Sequence, residues 1–360
     1  MTPRATINEA AAAIGPIDEA ARDAARKLQS RLTKPAGALG RLEELAIWAA
    51  GVCRTPVPEL TRSVIVVAAA DHGVAEDGVS AYPRDVTGQM VANFLAGGAA
   101  VNVLAAHAGA EVRIVDAGVR GDLSDPRLRV VKPRGGTDNM AMGPAMSRDE
   151  AEMLVASGIE FARDLASVGD VSIALGDMGI GNTTAAAAIT SVCAGLPPRA
   201  TTGRGTGIDD AAYARKLDAV ERAIAVNAPD PADAIDVLAR VGGFEIAFLA
   251  GVALGAAATR APVVLDGYPT TAAALIAAAI APAAVPCMLA SHQSAEPGHR
   301  LALAHLGLRP LLDLEMRLGE GSGAALALPL LTAALRIPRE MATFDSAGVS
   351  RSDGETAAEA

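Results

Sequence analysis

Five short strand-like runs, most of which end in polar residues and lead into a helix, constrain the fold of this chain more than any other feature. Residues 63–70 form a continuous run, rich in β-branched side chains, that stops at Asp71-His72-Gly73. Such a run is typical of a strand buried on both faces of a sheet. The theme recurs at residues 111–116, 170–175, 262–265 and 286–290. Strands that alternate with helices predict a three-layer α/β/α fold with a parallel Rossmann-like sheet.

The polar residues that end these runs predict where a ligand binds. Asp71, Asp177, Asp266 and His292 each lie at or just after the end of a predicted strand. In an open parallel sheet, ligands bind beyond the carboxyl ends of the strands. We therefore expect these four side chains to gather at one edge of the sheet, around the functional site.

Charge and composition exclude several classes of function. The net charge of −10 provides no basic surface for nucleic acid, and an acidic surface disfavours anionic membranes. Residues 1–19 contain no signal-peptide apolar region, and the longest apolar stretch, residues 246–259, is too short to span a bilayer. The three cysteines form no CxxC pair, and the five histidines have no zinc-ligand spacing. We expect a cytoplasmic protein without nucleic-acid or membrane partners and without a structural metal.

A glycine-rich segment, residues 176–184, joins a predicted strand to an alanine-rich helix. It contains Gly179 and Asn182, and its backbone amides, hydroxyl groups and helix N-terminus suit an anion. A turn with a helix N-cap is the alternative interpretation. The glycine spacing does not match the dinucleotide-binding fingerprint, and the P-loop lysine is absent. Asp177 lies beside these anion-binding groups, where a carboxylate is unfavourable unless it has a task of its own.

A second glycine-rich segment, residues 202–207, contains Gly205 and is followed by Lys216. Alternating glycines form a nest of backbone amides, and a nearby lysine supplies a point charge to a phosphate group. A flexible loop with a solvated lysine explains this segment equally well by itself. Two such segments in one α/β domain make a phosphorylated substrate the leading hypothesis.

Four residues that follow the first strand are suited to a heteroaromatic ring. Ser80 and Gln89 can orient such a ring by hydrogen bonds, while Tyr82 and Met90 can form its walls. Met90 equally suits a core position, because residues 86–106 have the periodicity of a helix.

The segment 291–299 is unusually dense in polar groups. Ser294 lacks the Gly-x-Ser-x-Gly elbow of a hydrolase nucleophile, so the segment is interpreted as substrate contacts or as a subunit edge. His72 and His292 have no partner nearby in the sequence. We expect them to be hydrogen-bonded structural histidines.

An acidic residue framed by glycines, Glu320, lies in residues 318–323, ahead of an apolar run. Glycines on both sides allow positive φ angles and close approach to a ligand. A helix that begins near Ser322 would add amide donors beside the acid. Glu320 is therefore either the cap of a tight turn or a positioned base.

Together these motifs resemble one family. The matching segments are Lys34-Pro-Ala-Gly-Ala-Leu-Gly-Arg-Leu-Glu43, Ala70-Asp-His-Gly-Val74, Gly78-Val-Ser-Ala-Tyr-Pro83, Gly179-Ile-Gly-Asn-Thr-Thr184, Gly203-Arg-Gly-Thr-Gly207, Asp266-Gly267 and Leu318-Gly-Glu-Gly-Ser-Gly323. The chain resembles the nicotinate-nucleotide–dimethylbenzimidazole phosphoribosyltransferases, which act in assembly of the lower ligand of cobalamin. The motifs run in consistent order from about Lys34 to Leu331.

The resemblance implies a reaction and an assembly. The phosphoribosyl group of nicotinate mononucleotide would be transferred to 5,6-dimethylbenzimidazole with inversion, which yields α-ribazole 5′-phosphate and nicotinate, with no metal or other cofactor. It also implies a homodimer. Residues 61–304 would form a large α/β domain with the active site, and residues 1–60 with 305–345 a small helical domain. Residues 346–360 are expected to be a flexible tail.

The resemblance also assigns roles to residues. Glu320 matches the catalytic glutamate of the family, and Asp177 is the candidate to stabilise the cationic transition state. The family usually has a longer glutamate at the position of Asp177, and more often a serine at that of Ala38. The remaining assignments are Gly179, Asn182, Gly205, Lys216 and Ser294 for the phosphoribosyl group, and Ser80, Tyr82, Gln89, Met90 and Leu318 for the base.

Two other classes of function are weighed against this one. A non-catalytic module that binds nucleotides or bases could use the same scaffold, because fold alone does not determine function. A dinucleotide-dependent oxidoreductase is disfavoured by the spacing of the glycines and by the missing ribose-binding acid.

Overall fold

The structure, a computed structural model, describes residues 1–350. It divides into two units. The larger contains Met1–Pro16 and Thr61–Leu328, and the smaller contains Ile17–Leu60 and the chain from Pro329 onward. Most of the expected flexible tail, residues 351–360, lies outside the described residues.

A six-stranded parallel sheet forms the centre of the larger unit. Its strand order is β3-β2-β1-β4-β5-β6, which is the doubly wound order with its switch point between β1 and β4. The strands are β1 (Arg62–Ala70), β2 (Glu111–Gly118), β3 (Leu128–Val130), β4 (Val171–Met178), β5 (Val263–Leu265) and β6 (Met288–Ala290), and β7 (His292–Gln293) pairs with β8 (Leu312–Asp313) in a small second sheet.

The helices follow the strands in the order expected for crossover connections. They are α1 (Pro3–Ala13), α2 (Glu19–Arg31), α3 (Arg41–Cys53), α4 (Val86–Ala96), α5 (Ala100–Ala108), α6 (Arg148–Ala166), α7 (Asn182–Ala194), α8 (Pro198–Thr201), α9 (Asp210–Asn227), α10 (Ala234–Val241), α11 (Phe244–Ala258), α12 (Tyr268–Ile280), α13 (Pro297–Leu306), α14 (Ser322–Glu340) and α15 (Phe344–Ala347). Two 3₁₀ helices, Gly73–Asp77 and Pro282–Cys287, complete the set.

Helices cover both faces of the sheet. In β1 every residue from Val64 to Ala70 is buried, although successive side chains point to opposite faces. Helix α11 contacts β1, β2 and β4 and packs closely on α6. The α6–α11 approach depends on small residues, because a Cβ atom added to Gly158 would overlap the backbone oxygen of Phe248. The three-layer α/β/α prediction is confirmed.

The smaller unit is helical in its described part and contains α2, α3, α15 and the portion of α14 from Pro329. Its glycine-rich turn is closed by Glu43, whose carboxylate pairs with Lys34 at 2.8 Å and accepts a hydrogen bond from the amide of Leu39 at 3.0 Å. This contact explains why a lysine and a glutamate frame the turn.

The division into units differs from the expected boundaries at two places. Met1–Pro16 groups with the larger unit because α1 packs on α6, where Glu9 pairs with Arg163 at 3.0 Å. Residues 305–328 also group with it, because β8 pairs with β7 and the Glu320 turn packs on Gly176.

The helix predicted over residues 86–106 is two helices. Gly97 ends α4 with a φ of 81°, and α5 begins at Ala100. Within residues 1–350 one stretch, Val86–Ala108, is long and apolar enough by length and composition alone to cross a membrane, and it coincides with these two helices. Because Gly97 breaks it, the stretch is not one continuous helix.

Candidate active site

A cavity of about 410 Å³ lies in the larger unit, at the carboxyl ends of the parallel strands. Segments that follow β1, β4, β5 and β6 line it, together with Gly205, Thr206 and the turn that contains Glu320. Its volume is within the range typical of small-molecule sites. Asp177 and His292 line the cavity as expected, whereas Asp71 does not and instead accepts a hydrogen bond from the amide of Arg120 at 2.8 Å.

Glu320 lies in a turn of three successive residues with left-handed backbone. The φ angles are 85° at Gly319, 64° at Glu320 and 86° at Gly321. The turn packs tightly on β4, because a Cβ atom added to Gly176 would lie 2.6 Å from the backbone oxygen of Glu320. The helix expected near Ser322 begins there, as α14.

The Glu320 carboxyl group is suited to accept a proton. The side chain lines the cavity although the residue is only 5% exposed, and its Oε2 atom is buried without a hydrogen-bond partner in the described structure. Burial raises the pKa of Glu320 above its ordinary value of 4.5, while a hydrogen bond from the backbone of Val101 opposes the change. A raised pKa makes this carboxylate a stronger base.

Asp177 ends β4 and lines the same cavity. Its Oδ2 accepts a hydrogen bond from Nδ2 of Asn182 at 2.8 Å, and its backbone oxygen accepts one from the amide of Glu320 at 3.1 Å. Burial raises the pKa of Asp177 well above its ordinary value, and the negative charges of Asp266 and Glu245 add to the effect. The ionised form of Asp177 therefore needs a nearby positive charge.

The loop at residues 203–207 is held by an acid. The amide of Gly205 donates to Oε1 of Glu296 at 2.7 Å, and Nη1 of Arg317 donates to the Gly205 carbonyl at 3.0 Å. The Gly205 amide is thus not free to donate to a ligand. A ligand could still pack against the Gly205 backbone, because glycine has no side chain to cover it. Glu296, Arg317 and Ser294 all line the cavity.

Lys216 lies behind the cavity wall and not in it. The residue is fully buried in α9, and its Nζ donates to Oγ1 of Thr183 at 2.9 Å. Thr183 and Gly205 line the cavity and separate it from the ammonium group. Burial lowers the pKa of Lys216 to about 8, an effect that Glu296 opposes. A ligand in the cavity would therefore not touch the Lys216 ammonium group, because Thr183 and Gly205 lie between them.

Three of the five histidines, His72, His292 and His299, are hydrogen-bonded inside the protein. Nε2 of His72 lies 2.7 Å from Oε1 of Glu245, and the imidazole packs behind Gly179. Nδ1 of His292 lies 3.1 Å from Oγ of Ser291, and burial lowers the pKa of His292. His299 bonds Thr271 and the amide of Ser294, and burial lowers its pKa to about 3. These contacts agree with structural roles.

The residues predicted to contact the benzimidazole lie beside the glycine-rich loop at residues 203–207. Oγ1 of Thr206 accepts a hydrogen bond from the amide of Ala81 at 3.0 Å and lies 3.3 Å from Oγ of Ser80. Tyr82 and Leu318 also line the cavity and are each 56% exposed. Both side chains therefore have a large uncovered surface at the cavity mouth.

The structure brings most of the predicted site residues to this cavity. Ten line it: Ser80, Tyr82, Met90, Asp177, Gly179, Asn182, Gly205, Ser294, Leu318 and Glu320. Lys216 is separated from it as described, and Gln89 is exposed on α4 outside the lining. Val86 and Met90 are four residues apart and share the helix face toward the cavity, which leaves Gln89 off that face. This position disfavours the predicted contact between Gln89 and the base.

Sequence reasoning missed two charged residues of the lining, Glu296 and Arg317. Glu296 lies in the polar segment 291–299 and was hidden among its many polar neighbours. Arg317 directly precedes the Leu318–Gly323 motif. Its position beside that motif could have identified it as a candidate binding residue.

Comparisons with known proteins agree along nearly the whole chain. A family model described as a phosphoribosyltransferase, DBI_PRT, matches residues 14–349. The nicotinate-nucleotide–dimethylbenzimidazole phosphoribosyltransferase of Chloroflexus aggregans is 56% identical over 338 residues, which cover 94% of this chain and 96% of that protein. The enzyme of that name from Roseiflexus sp. (strain RS-1) is 54% identical over 345 residues, which cover 96% of this chain and 98% of that protein.

Solved structures give the same result. The crystal structure of nicotinate-nucleotide-dimethylbenzimidazole phosphoribosyltransferase from Thermus thermophilus has a TM-score of 0.88 and 50% sequence identity, and the match covers 93% of this chain and 100% of that one. A crystal structure of CobT from the same organism has a TM-score of 0.89 and 51% identity, and the match covers 92% of this chain and 100% of that one. The chain belongs to the nicotinate-nucleotide–dimethylbenzimidazole phosphoribosyltransferase family.

Proposed function

We propose that this protein transfers the phosphoribosyl group of nicotinate mononucleotide to 5,6-dimethylbenzimidazole, in assembly of the cobalamin lower ligand. The products are α-ribazole 5′-phosphate and nicotinate. The observation that carries the proposal is the buried carboxyl group of Glu320 in the cavity, with a raised pKa and an Oε2 atom that has no partner. Family membership gives the substrates, through the names of the relatives.

Glu320 is the proposed general base. One ring nitrogen of the benzimidazole attacks C1′ of the ribose as the bond from C1′ to the pyridinium nitrogen breaks, and its electron pair stays with nicotinate. The other ring nitrogen loses its proton to the Glu320 carboxylate. The pKa raised by burial strengthens Glu320 as the acceptor. Attack on the face opposite to the leaving group inverts C1′ and gives the α linkage.

Asp177 is the proposed electrostatic partner of the reacting sugar. Its pKa is raised by burial and by neighbouring acids, so the pyridinium ring of the substrate would favour its ionised form. The ionised carboxylate would then stabilise the positive charge that develops at C1′. Asn182 holds one oxygen of Asp177 in place, which fixes the direction of the shorter side chain.

The phosphoribosyl group is proposed to lie along Gly179, Asn182, Gly205 and Ser294, with Lys216 behind the wall. Arg317 is added to this set, because it lines the cavity and carries a formal positive charge next to Gly205. The benzimidazole is proposed to lie against Ser80, Tyr82, Met90 and Leu318.

Release of nicotinate by the purified protein tests the proposal. With nicotinate mononucleotide and dimethylbenzimidazole supplied, the wild-type protein should release nicotinate, and Glu320→Gln should lower kcat by about two to four powers of ten. Glu315→Gln is the matched control, because Glu315 is an exposed acid in the same segment outside the cavity lining. A wild-type protein that binds both substrates without turnover would be a binding module. A loss within about threefold in Glu320→Gln would leave Glu320 a structural role only.

A homodimer in the cytoplasm is also proposed, on the family resemblance. Sedimentation equilibrium of the purified protein tests the first part, since a dimer has twice the mass of 36.2 kDa calculated for one chain. Fractionation of the producing cells tests the second.

A further inference from the structure

Asp266 is a fully buried acid that the proposed mechanism does not use. It follows β5, and its carboxylate accepts three backbone hydrogen bonds from the chain around Glu320. Oδ2 accepts from the amide of Gly321 at 3.0 Å, and Oδ1 accepts from Gly323 at 2.7 Å and from Ala324 at 3.0 Å. One carboxylate thus binds both the turn and the first residues of α14.

We propose that Asp266 is a positioning residue that holds Glu320 in the conformation needed for proton transfer. The inference rests on the proposed role of Glu320 as the base. Asp266 does not line the cavity, so it would act through the turn and not on the substrate.

The Glu320 turn needs such a tether because its backbone is unfavourable. Glu320 has a φ of 64°, a region that residues other than glycine, asparagine and aspartate rarely occupy. A residue kept in such a conformation must be over-determined by its surroundings. The hydrogen bond at Gly321 fixes the peptide directly after Glu320, and the bond from the Glu320 amide to the Asp177 oxygen at 3.1 Å fixes the other side.

Asp266 also supplies partners to the start of α14. The first amides of a helix have no partner within the helix, and a carboxylate is favourable at this positive end. Gly323 and Ala324 are among these first residues, and the acid that accepts their hydrogen bonds lies just after β5, 57 and 58 positions away in the chain. Gly323 must be small, because the imidazole of His292 packs directly against it.

The ionised form of Asp266 depends on these amides. Burial raises the pKa of Asp266 to about 7, whereas the bonds from Ala324, Gly321 and Gly323 lower it. Nδ1 of His292 lies 3.9 Å from Oδ1, but burial disfavours the charged imidazole. The backbone amides of the turn are therefore the main support of the negative charge.

Asp266→Asn should break one particular hydrogen bond between residue 266 and the Glu320 turn, the bond from the Gly321 amide. An asparagine that keeps its oxygen toward Gly323 and Ala324 must turn its amide donor toward the amide of Gly321, where two donors oppose each other. The disrupted bond is the one next to Glu320. Asp116→Asn is the control for loss of a buried carboxylate away from the cavity: Asp116 is a fully buried acid of β2 whose Oδ1 accepts from Gly118 and Val119 and whose Oδ2 pairs with Lys132 at 2.8 Å.

Steady-state kinetics of nicotinate release and amide exchange test the inference together. Asp266→Asn should lower kcat about 10- to 100-fold with KM within about threefold, because small displacements of a catalytic group have such effects. In a Glu320→Gln background the same change should lower kcat less than about twofold, since Asp266 acts through Glu320. Asp116→Asn should leave kcat within about twofold. Hydrogen exchange at Gly321 and Gly323 should be faster in Asp266→Asn than in Asp116→Asn.

Three results would overturn the inference. The first is a kcat for Asp266→Asn within twofold of the wild type, the second is a loss that multiplies fully with that of Glu320→Gln, and the third is unchanged hydrogen exchange at Gly321 and Gly323. If the wild-type protein released no nicotinate, the proposed function would fail, and the exchange measurement would still test whether Asp266 holds the turn. Asp266→Ser, which removes the carboxylate without adding an amide donor, gives the same comparisons should the asparagine variant not fold.

Discussion

Replacement of Lys216 by methionine should stabilise the empty protein while it impairs activity. Lys216 is fully buried, and its ammonium group has Thr183 as its hydrogen-bond partner and Glu296 as a nearby opposite charge. Methionine has a similar length and no charge to desolvate. A buried cation that costs stability is retained, on the proposed function, because it attracts the substrate phosphate.

The pKa of Lys216 gives the magnitude. A change from 10.5 to about 8 corresponds to about 3 kcal/mol of unfavourable free energy for the charged form in the folded state. Below pH 8 both folded and unfolded states hold the proton, and the folded state bears this full cost. Between pH 8 and 10.5 only the unfolded state holds the proton, so wild-type stability rises by about 1.4 kcal/mol per pH unit relative to the methionine variant.

Urea unfolding at pH 7 and at pH 10 measures the effect. The free energy of unfolding of Lys216→Met minus that of the wild type should decrease by about 2 to 3 kcal/mol between the two pH values. Loss of the hydrogen bond to Thr183 subtracts about 1 kcal/mol at both, and so leaves the pH dependence unchanged. Lys27→Met, at an exposed lysine of α2, should show no such trend.

Activity should change in the opposite direction. On the proposed function, Lys216→Met should raise the KM for nicotinate mononucleotide, because the positive charge behind Thr183 and Gly205 is lost. A stability difference between the variant and the wild type that is the same at pH 7 and pH 10 would refute the reasoning, since it would mean that the lysine titrates normally.

Two further predictions concern the base and the helix packing. The kcat/KM for nicotinate mononucleotide, which reports the protein before the pyridinium cation is bound, should fall as the pH is lowered through the pKa of Glu320, with a midpoint above 4.5, and a pH profile that stays flat down to pH 4.5 would contradict this. Gly158→Ala should lower the free energy of unfolding by about 2 kcal/mol or more, because its methyl group would overlap the backbone oxygen of Phe248. Gly143→Ala, where no atom lies within 4 Å of the added carbon, should change it by less than about 0.5 kcal/mol in urea unfolding.

The sheet was predictable because its central strands are mostly apolar and do not alternate with polar residues. The runs at 63–70 and 170–175 are β1 and β4 with small extensions, since a strand buried on both faces needs no alternation of polar residues. Strand β3, with only three residues at the sheet edge, has too little pattern to be recognised. The break in the predicted helix over 86–106 was signalled by the pair Gly97-Gly98, because glycine readily adopts the positive φ that ends a helix.

The site was predictable in its residue types and less so in its geometry. Residue type suggested Gln89 as a ring contact, but the rotation of α4 decides which side chains face the cavity, and this depends on tertiary packing. The sequence placed Lys216 near a phosphate but could not reveal that Thr183 separates them. The hydrogen bonds that the Asp266 carboxylate accepts from amides 55 to 58 positions away leave no local pattern in the sequence.

Under the proposed reaction, the acids in and behind the cavity wall respond in the same way to the charge of the substrate. Burial raises the pKa values of Asp177, Asp266 and Glu320, and Arg317 is the one Lys or Arg among the described lining residues. A bound pyridinium cation would lower these pKa values and keep Glu320 ionised before attack. When the ring leaves as nicotinate, its nitrogen is neutral and that support is lost, so the pKa of Glu320 rises as the benzimidazole nitrogen releases its proton. The burial that makes these acids costly in the empty protein thus favours proton uptake at the step that requires it.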